Sequence, residues 1–214
     1  MLRIIAGERR GRKIEVPSGG GVRPTTDRVR EAIFNILRRL VEKSYVFDLF
    51  AGSGALGLEA LSRGAEHVTF IEGDSRVAGT LRRNIKHLGY EARATLVVAD
   101  AFRWVERFEA WPSSRSIILI APPYACFEER LEDLRQLWST LVERMAPGTA
   151  IAMQAPQNLQ RDWLPPGADW ELRRYGQTQV VIGQTIESNQ TVTSDATACG
   201  EGSRRQVSAR KQEL

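Results

Sequence analysis

Apolar residues fall into two rhythms along this chain, short unbroken runs and helically spaced stripes, and the two alternate through most of its length. Val46, Phe47, Leu49 and Phe50 form a run suited to a strand covered on both faces. Similar runs follow at His67–Glu72, Thr95–Asp100, Ile117–Ala121 and Thr149–Gln154. Thr25, Thr26 and Asp27 offer an N-cap to a helix with Val29, Ile33, Ile36, Leu37 and Leu40 on one face. Val77, Leu81, Ile85 and Leu88 mark a second helix stopped by Gly89, and Phe127, Leu131, Leu134, Leu141 and Met145 a third closed by Pro147-Gly148. Trp170–Tyr175 and Thr178–Gly183, separated by Gly176-Gln177, read as a terminal hairpin. The alternation predicts an α/β fold with a mostly parallel seven-stranded sheet edged by an antiparallel C-terminal hairpin.

The ends differ from this body. Arg3–Val16 alternates loosely around Ala6-Gly7 and Arg10-Gly11, which suggests a small β-ribbon carrying Arg9, Arg10, Arg12 and Lys13, followed by a loop at Ser18–Gly21. Beyond Gln184 the chain is polar and lacks periodicity, so residues 185–214 read as a disordered tail. A single domain over residues 1–184, with the ribbon as an arm over about 1–22, fits the length of 214 residues. Charge sharpens the division. Residues 1–30 hold eight Lys/Arg against three Asp/Glu, residues 31–184 eighteen against nineteen, and residues 185–214 four against four. The whole excess of +4 therefore sits in the arm, the layout of a protein that docks on a polyanion. Two cysteines (Cys126, Cys199) and two isolated histidines (His67, His87) make neither a disulfide framework nor a metal site. No stretch approaches the ~20 apolar residues of a membrane span, and Met1–Arg10 lacks a signal-peptide core, so the expected compartment is the cytoplasm.

The candidate chemistry begins where the first apolar run breaks into glycines. Gly52, Gly54 and Gly57 fit the G-x-G-x-x-G dinucleotide fingerprint, and Glu72 stands at the acidic spacing that the fingerprint asks for. Asp48 points elsewhere. A carboxylate beside the glycines repels a pyrophosphate but suits a cationic, amine-bearing ligand, which favours S-adenosylmethionine over NAD. Ligands of open α/β sheets sit at the carboxyl ends of the strands. Asp48, Glu72, Asp100 and Pro122-Pro123-Tyr124 fall at or near four successive strand ends, with Glu72 suited to ribose hydroxyls and Asp100 to the adenine amino group.

R-I-I-A-G-x-x-R-G-R-K near the start, R-P-T-T-D-R-V-R-E-A-I-F-N at Arg23–Asn35 and D-L-F-A-G-S-G-A-L-G-L-E-A-L-S-R-G-A at Asp48–Ala65 carry a resemblance over residues 2–184. The chain resembles the class I S-adenosylmethionine-dependent methyltransferases, and within them the bacterial family that methylates the exocyclic N2 of a guanine in 16S ribosomal RNA. The resemblance implies a Rossmann-like fold, a monomer, and the small ribosomal subunit or its RNA as partner. It places Phe50, Gly52 and Gly54 along the methionine end of the cofactor with Asp48 nearby, Glu72 on the ribose, and Asp100 and Ala101 beside the adenine. Pro122, Pro123 and Tyr124 would orient and stack the guanine. Arg9, Arg10, Arg12 and Lys13 would take phosphates, and Arg23 and Arg30 either lie nearer the site or pack at the end of their helix.

The sequence departs from that family at its catalytic motif. Enzymes of this kind carry Asp or Asn, then Pro-Pro, then Tyr or Phe, whereas this chain reads Ala121-Pro122-Pro123-Tyr124. A side-chain oxygen and the first proline's carbonyl ordinarily accept the two N–H bonds of the target amino group. The aromatic ring stacks on the extruded base. Ala121 deletes one acceptor, a loss that typically costs about 10²–10³ in rate. Three readings stay open: a catalytically impaired homologue that binds cofactor and RNA, an active enzyme that recruits another acceptor, or a substitution introduced by design or error.

Overall fold

A computed structural model describes residues 2–17, 25–108 and 115–185. Arg23, the expected loop at Ser18–Gly21, Cys199 and, apart from Thr185, the expected tail over 185–214 lie outside the described residues. The N-terminal alternation folds into a ribbon, β1 (Leu2–Arg3) antiparallel to β2 (Lys13–Ile14). Thr26 caps α1 (Asp27–Ile36), its hydroxyl oxygen accepting from the Val29 amide at 3.3 Å. Strands and helices then alternate: β3 (Tyr45–Leu49), α2 (Ala55–Ser62), β4 (His67–Glu72), α3 (Ser75–Leu88), β5 (Ala94–Val98), α4 (Ala101–Arg107) and β6 (Ser116–Ile120). After α5 (Cys126–Glu129) and α6 (Leu131–Arg144) the chain closes with β7 (Ala150–Pro156), β8 (Ala168–Tyr175) and β9 (Thr178–Thr185).

The main sheet runs β5-β4-β3-β6-β7-β9-β8, with β9 antiparallel to both neighbours and the other described pairings parallel. This is the seven-stranded, mostly parallel sheet that the pattern predicts. Because β4 and β5 lie on one side of β3 and β6 and β7 on the other, the crossovers diverge at β3 and leave a crevice beyond its carboxyl end.

Two elements differ from the sequence reading. Asp100 stands beyond β5 and caps α4, its Oδ1 accepting from the amides of Phe102 and Arg103 at 2.9 and 3.2 Å. That helix has seven residues, too few for its apolar stripe to register as periodic. The stripe from Phe127 to Met145 is two helices, broken at Arg130, whose φ of −134° leaves the helical region. The Arg130 guanidinium bridges Asp100 at 3.4 Å and Asp133 at 2.8 Å.

Alternation along the strands sorts the core into two layers. Val46, Val68, Phe70, Ile117, Leu119 and Ala152 pack against α1, α2, α3 and the ribbon. Leu49, Ile71, Ile118, Ile120 and Met153 pack against α4 and α6, with Trp138, Trp163 and Trp170 in the same layer.

The ribbon is clamped to the first layer by charge. Glu59 of α2 is wholly buried and accepts from the Ile5 and Ala6 amides at 2.7 and 3.0 Å and from Arg63 Nε at 2.7 Å. Of the two readings of Arg30, the structure takes helix packing rather than a place in the crevice. The residue is fully buried beneath the ribbon, donating to the Arg3 carbonyl and to Asp27 Oδ1. Truncating one member of a buried charged cluster leaves its partners desolvated. Glu59→Ala should therefore cost about 3–5 kcal/mol in chemical denaturation and expose the ribbon to protease, and Glu59→Gln, which keeps an acceptor, should cost less.

Candidate functional site

The loop after β3 is shaped by backbone rather than by side chains. Phe50 adopts φ +62°, one of two non-glycine residues with positive φ among those described. That strain at the strand end turns the chain sharply into the glycines. The glycines divide the work. A Cβ at Gly57 would come within 2.2 Å of Phe70, so that glycine lets α2 pack on the sheet. Gly52, at φ +57°, faces nothing within 4 Å where its Cβ would stand, so its freedom serves the turn and leaves an open floor for a ligand.

Asp48 lies under this loop, 1% exposed. Its Oδ2 accepts from the Gly57 amide at 2.8 Å, and its buried Oδ1 has no partner among the described residues. Burial pushes its pKa up to about 8; the Gly57 amide pulls it down and the nearby Glu72 adds to the rise. Asp48 lines a cleft of about 600 Å³ together with Phe50, Gly52, Glu72, Asp100 and Ala101. Six of the seven expected cofactor residues thus line one cleft. Gly54 stands behind them as the N-cap of α2, at φ +83°.

Glu72 holds two loops at once. Its Oε2 accepts from the Gly52 amide at 2.8 Å and its Oε1 from the Asp74 amide at 2.9 Å. Each oxygen keeps a second lone pair for ribose hydroxyls. Asp100 is split similarly between the α4 amides and Arg130. Arg130 also stacks its guanidinium 3.9 Å from the centre of the Phe102 ring, closing the outer rim.

Ala121, Pro122, Pro123 and Tyr124 line the same cleft. The Ala121 amide donates to the Leu49 carbonyl at 3.3 Å, which holds the motif beside the glycine-loop strand. The Pro123 and Tyr124 carbonyls accept from the Cys126 and Phe127 amides, while the Pro122 carbonyl has no partner among the described residues. Tyr124 is steadied by a 2.8 Å hydrogen bond between its hydroxyl and Thr178 Oγ1 on β9. Tyr124 also lines a second cavity, of about 490 Å³.

The basic residues are less uniform than the sequence suggests. Arg10, Arg12 and Lys13 are exposed, whereas Arg9 donates its Nε to the Leu88 carbonyl and lies 5.8 Å over the Tyr90 ring. The structure adds α3, whose exposed Arg76, Arg82, Arg83 and Lys86 have no acidic residue among them. Asn84 of α3 joins this face to the ribbon and the loop, accepting from the Glu15 amide and donating to the Glu15 and Ser53 carbonyls. Sequence reasoning missed this surface because the charge of α3 cancels against acids elsewhere in the body. It also missed Val16, Pro17, Thr25, Phe102, Arg130 and Gln154 as cleft walls. Only Thr25 had a signal, its place inside the Arg23–Asn35 block.

Comparison with known proteins agrees with this geometry. The family described as Conserved hypothetical protein 95 matches residues 2–184. The Ribosomal RNA small subunit methyltransferase D of Escherichia coli K12 is 44% identical over 123 residues, 58% of this chain and 60% of that protein. The matched stretch is thus under two thirds of that relative's length. The solved structure of yhhF from Escherichia coli superposes with a TM-score of 0.72 at 34% identity, covering 86% of this chain and 98% of that one. An RNA methyltransferase from Salinibacter ruber, solved with S-adenosyl-L-homocysteine, shares the fold at a TM-score of 0.57 and 17% identity over 79% of this chain and 97% of that one. The chain belongs to the Conserved hypothetical protein 95 family and, with it, to the class I S-adenosylmethionine-dependent methyltransferases.

Proposed function

We propose that this chain transfers the methyl group of S-adenosylmethionine to the exocyclic N2 of a guanine in 16S ribosomal RNA of the small subunit, acting as a cytoplasmic monomer. The observation that carries the reading is that the Pro122-Pro123-Tyr124 turn lines one cleft together with Asp48 and Glu72. The name of the Escherichia coli relative supports ribosomal RNA as substrate.

The residues present fit the cofactor. The unpartnered Asp48 Oδ1 suits its ammonium group, Glu72 the ribose hydroxyls, and the bare floor over Gly52 admits close backbone approach. Bound there, S-adenosylmethionine would supply an electrophilic methyl group for the guanine N2 lone pair, the S–CH₃ bonding electrons staying on sulfur and a nitrogen proton leaving to water. The chain's own task is orientation. Tyr124 stacks the extruded base, and the Pro122 carbonyl accepts one amino N–H, turning the nitrogen lone pair toward the methyl. Exposed Arg10, Arg12 and Lys13 take phosphates.

One observation favours a second reading. At position 121 the wall offers only a methyl group, and a homologue that binds cofactor and RNA without turnover would look the same. Radiolabelled methyl transfer to undermethylated small-subunit RNA separates the two. Turnover by the natural chain supports the enzyme, and silence relieved by Ala121→Asp supports the binding protein. On the enzyme reading, replacing Arg10, Arg12 and Lys13 by Ala should weaken RNA binding and lower the slope of log affinity against log salt by about 2–3.

Asp48 gives a pH signature. Its raised pKa means the empty cleft holds a neutral carboxyl below about 8, and a cationic ligand favours the carboxylate. Calorimetry in buffers of different ionisation enthalpy should therefore show proton release on S-adenosylmethionine binding near pH 7, with affinity rising from pH 6 toward 8. Asp48→Asn keeps an acceptor for the Gly57 amide but should abolish the release and weaken binding roughly 10–100-fold, the worth of a charge-assisted hydrogen bond. For folding the sign is opposite: a raised carboxyl pKa stabilises while neutral, and that contribution is lost as pH climbs through about 8.

A further inference from the structure

Resting on the amino-methylation reading of the cleft, we propose that Gln154 supplies the side-chain acceptor that Ala121 lacks. The target amino group is then held between the Gln154 carboxamide oxygen and the Pro122 carbonyl.

The register of the sheet makes the placement. β6 and β7 pair in parallel from Ile117↔Ala150 to Ile120↔Met153, so the next position sets Ala121 beside Gln154. Neighbours in a parallel ladder share a face, and Ala121 and Gln154 follow by alternation from Leu119 and Ala152, which pack in the same core layer. Both line the cleft alongside Pro122 and Tyr124. A side chain reaching in from the adjacent strand has about 5 Å more to cross. Glutamine is one methylene longer than the asparagine that the motif accepts at its own first position and recovers only part of that distance, so the target nitrogen would lie between the two strands rather than over β6.

Gln154 is also held in place. Thr25 Oγ1 donates to its Oε1 at 2.7 Å, and Thr25 is buried immediately before the N-cap of α1. A carboxamide oxygen has two lone pairs, so this bond fixes the group and leaves one acceptor site for a substrate N–H. A neutral amide suffices for the role, since the motif of such enzymes uses Asn as well as Asp.

The test compares the natural chain, Gln154→Ala, Ala121→Asp and the double variant in methyl transfer to undermethylated small-subunit RNA. Calorimetric S-adenosylmethionine affinity reports on folding and on the cofactor half of the cleft. Gln154→Ala should lower kcat about 10²–10³ with cofactor affinity unchanged, Gln154→Glu should retain turnover, and in the Ala121→Asp background Gln154→Ala should be nearly neutral. Gln154→Met, close in size and without the acceptor, replaces Gln154→Ala if truncation unfolds the strand. Full turnover by Gln154→Ala or Gln154→Met overturns the proposal and leaves the methyltransferase reading intact. So does an equal loss in both backgrounds, which marks a structural residue. A silent natural chain with an active Ala121→Asp variant overturns it too, because Gln154 then fails to stand in. If both are silent, the amino-methylation reading itself falls and the proposal with it.

Discussion

A carboxyl group buried in the middle strand of the sheet constrains everything around it. Asp48 sits at 1% exposure between β4 and β6, where an apolar residue would cost nothing. One of its two oxygens is bonded by the Gly57 amide, which ties the first turn of α2 to β3 across the glycine loop. The other oxygen has no partner among the described residues, and burial raises the pKa of the group. A buried acceptor with no internal partner is an energetic liability that a cationic ligand relieves. The strained Phe50 and the open floor over Gly52 belong to the loop that leaves the strand directly after Asp48.

The other elements hold that loop still. Glu72 pins Gly52 from the neighbouring strand, and Asn84 of α3 holds the Ser53 carbonyl. The ribbon is locked to α2 by Glu59 and to α3 through Asn84, so its basic residues ride on the scaffold that fixes the cofactor. Phosphate contacts position a nucleic acid without reading its sequence. On the proposed function, phosphate contacts made by the ribbon would be referenced to the cleft through these bonds.

Features that depend on neighbours along the chain were legible in the sequence. The apolar runs gave the parallel strands, the Gly176-Gln177 break gave the hairpin, and the strand-end carboxylates gave the cleft. Features set across the chain were not. Asp100 looked like the end of a strand because nothing local distinguishes that from the cap of a short helix. Arg30 stayed open between the site and helix packing because its burial depends on a ribbon some twenty-seven residues away, through the Arg3 carbonyl. The basic face of α3 vanished into a neutral total, since charge sums ignore which side of a helix a residue occupies. Gln154 carried no motif at all.

That last case bears on what a motif is. Asp/Asn-Pro-Pro-Tyr/Phe describes a chain order, but the chemistry needs two acceptors and a ring at fixed points around one nitrogen. In a parallel sheet each such point lies next to a residue on the adjacent strand that faces the same way. A donor or acceptor can therefore move sideways by one strand and stay in the site, provided the longer reach is braced. Thr25 braces it here, from a segment that also forms the N-terminus of α1. The substitution at Ala121 reads as a loss along the sequence; across the sheet it leaves a polar oxygen facing the same wall.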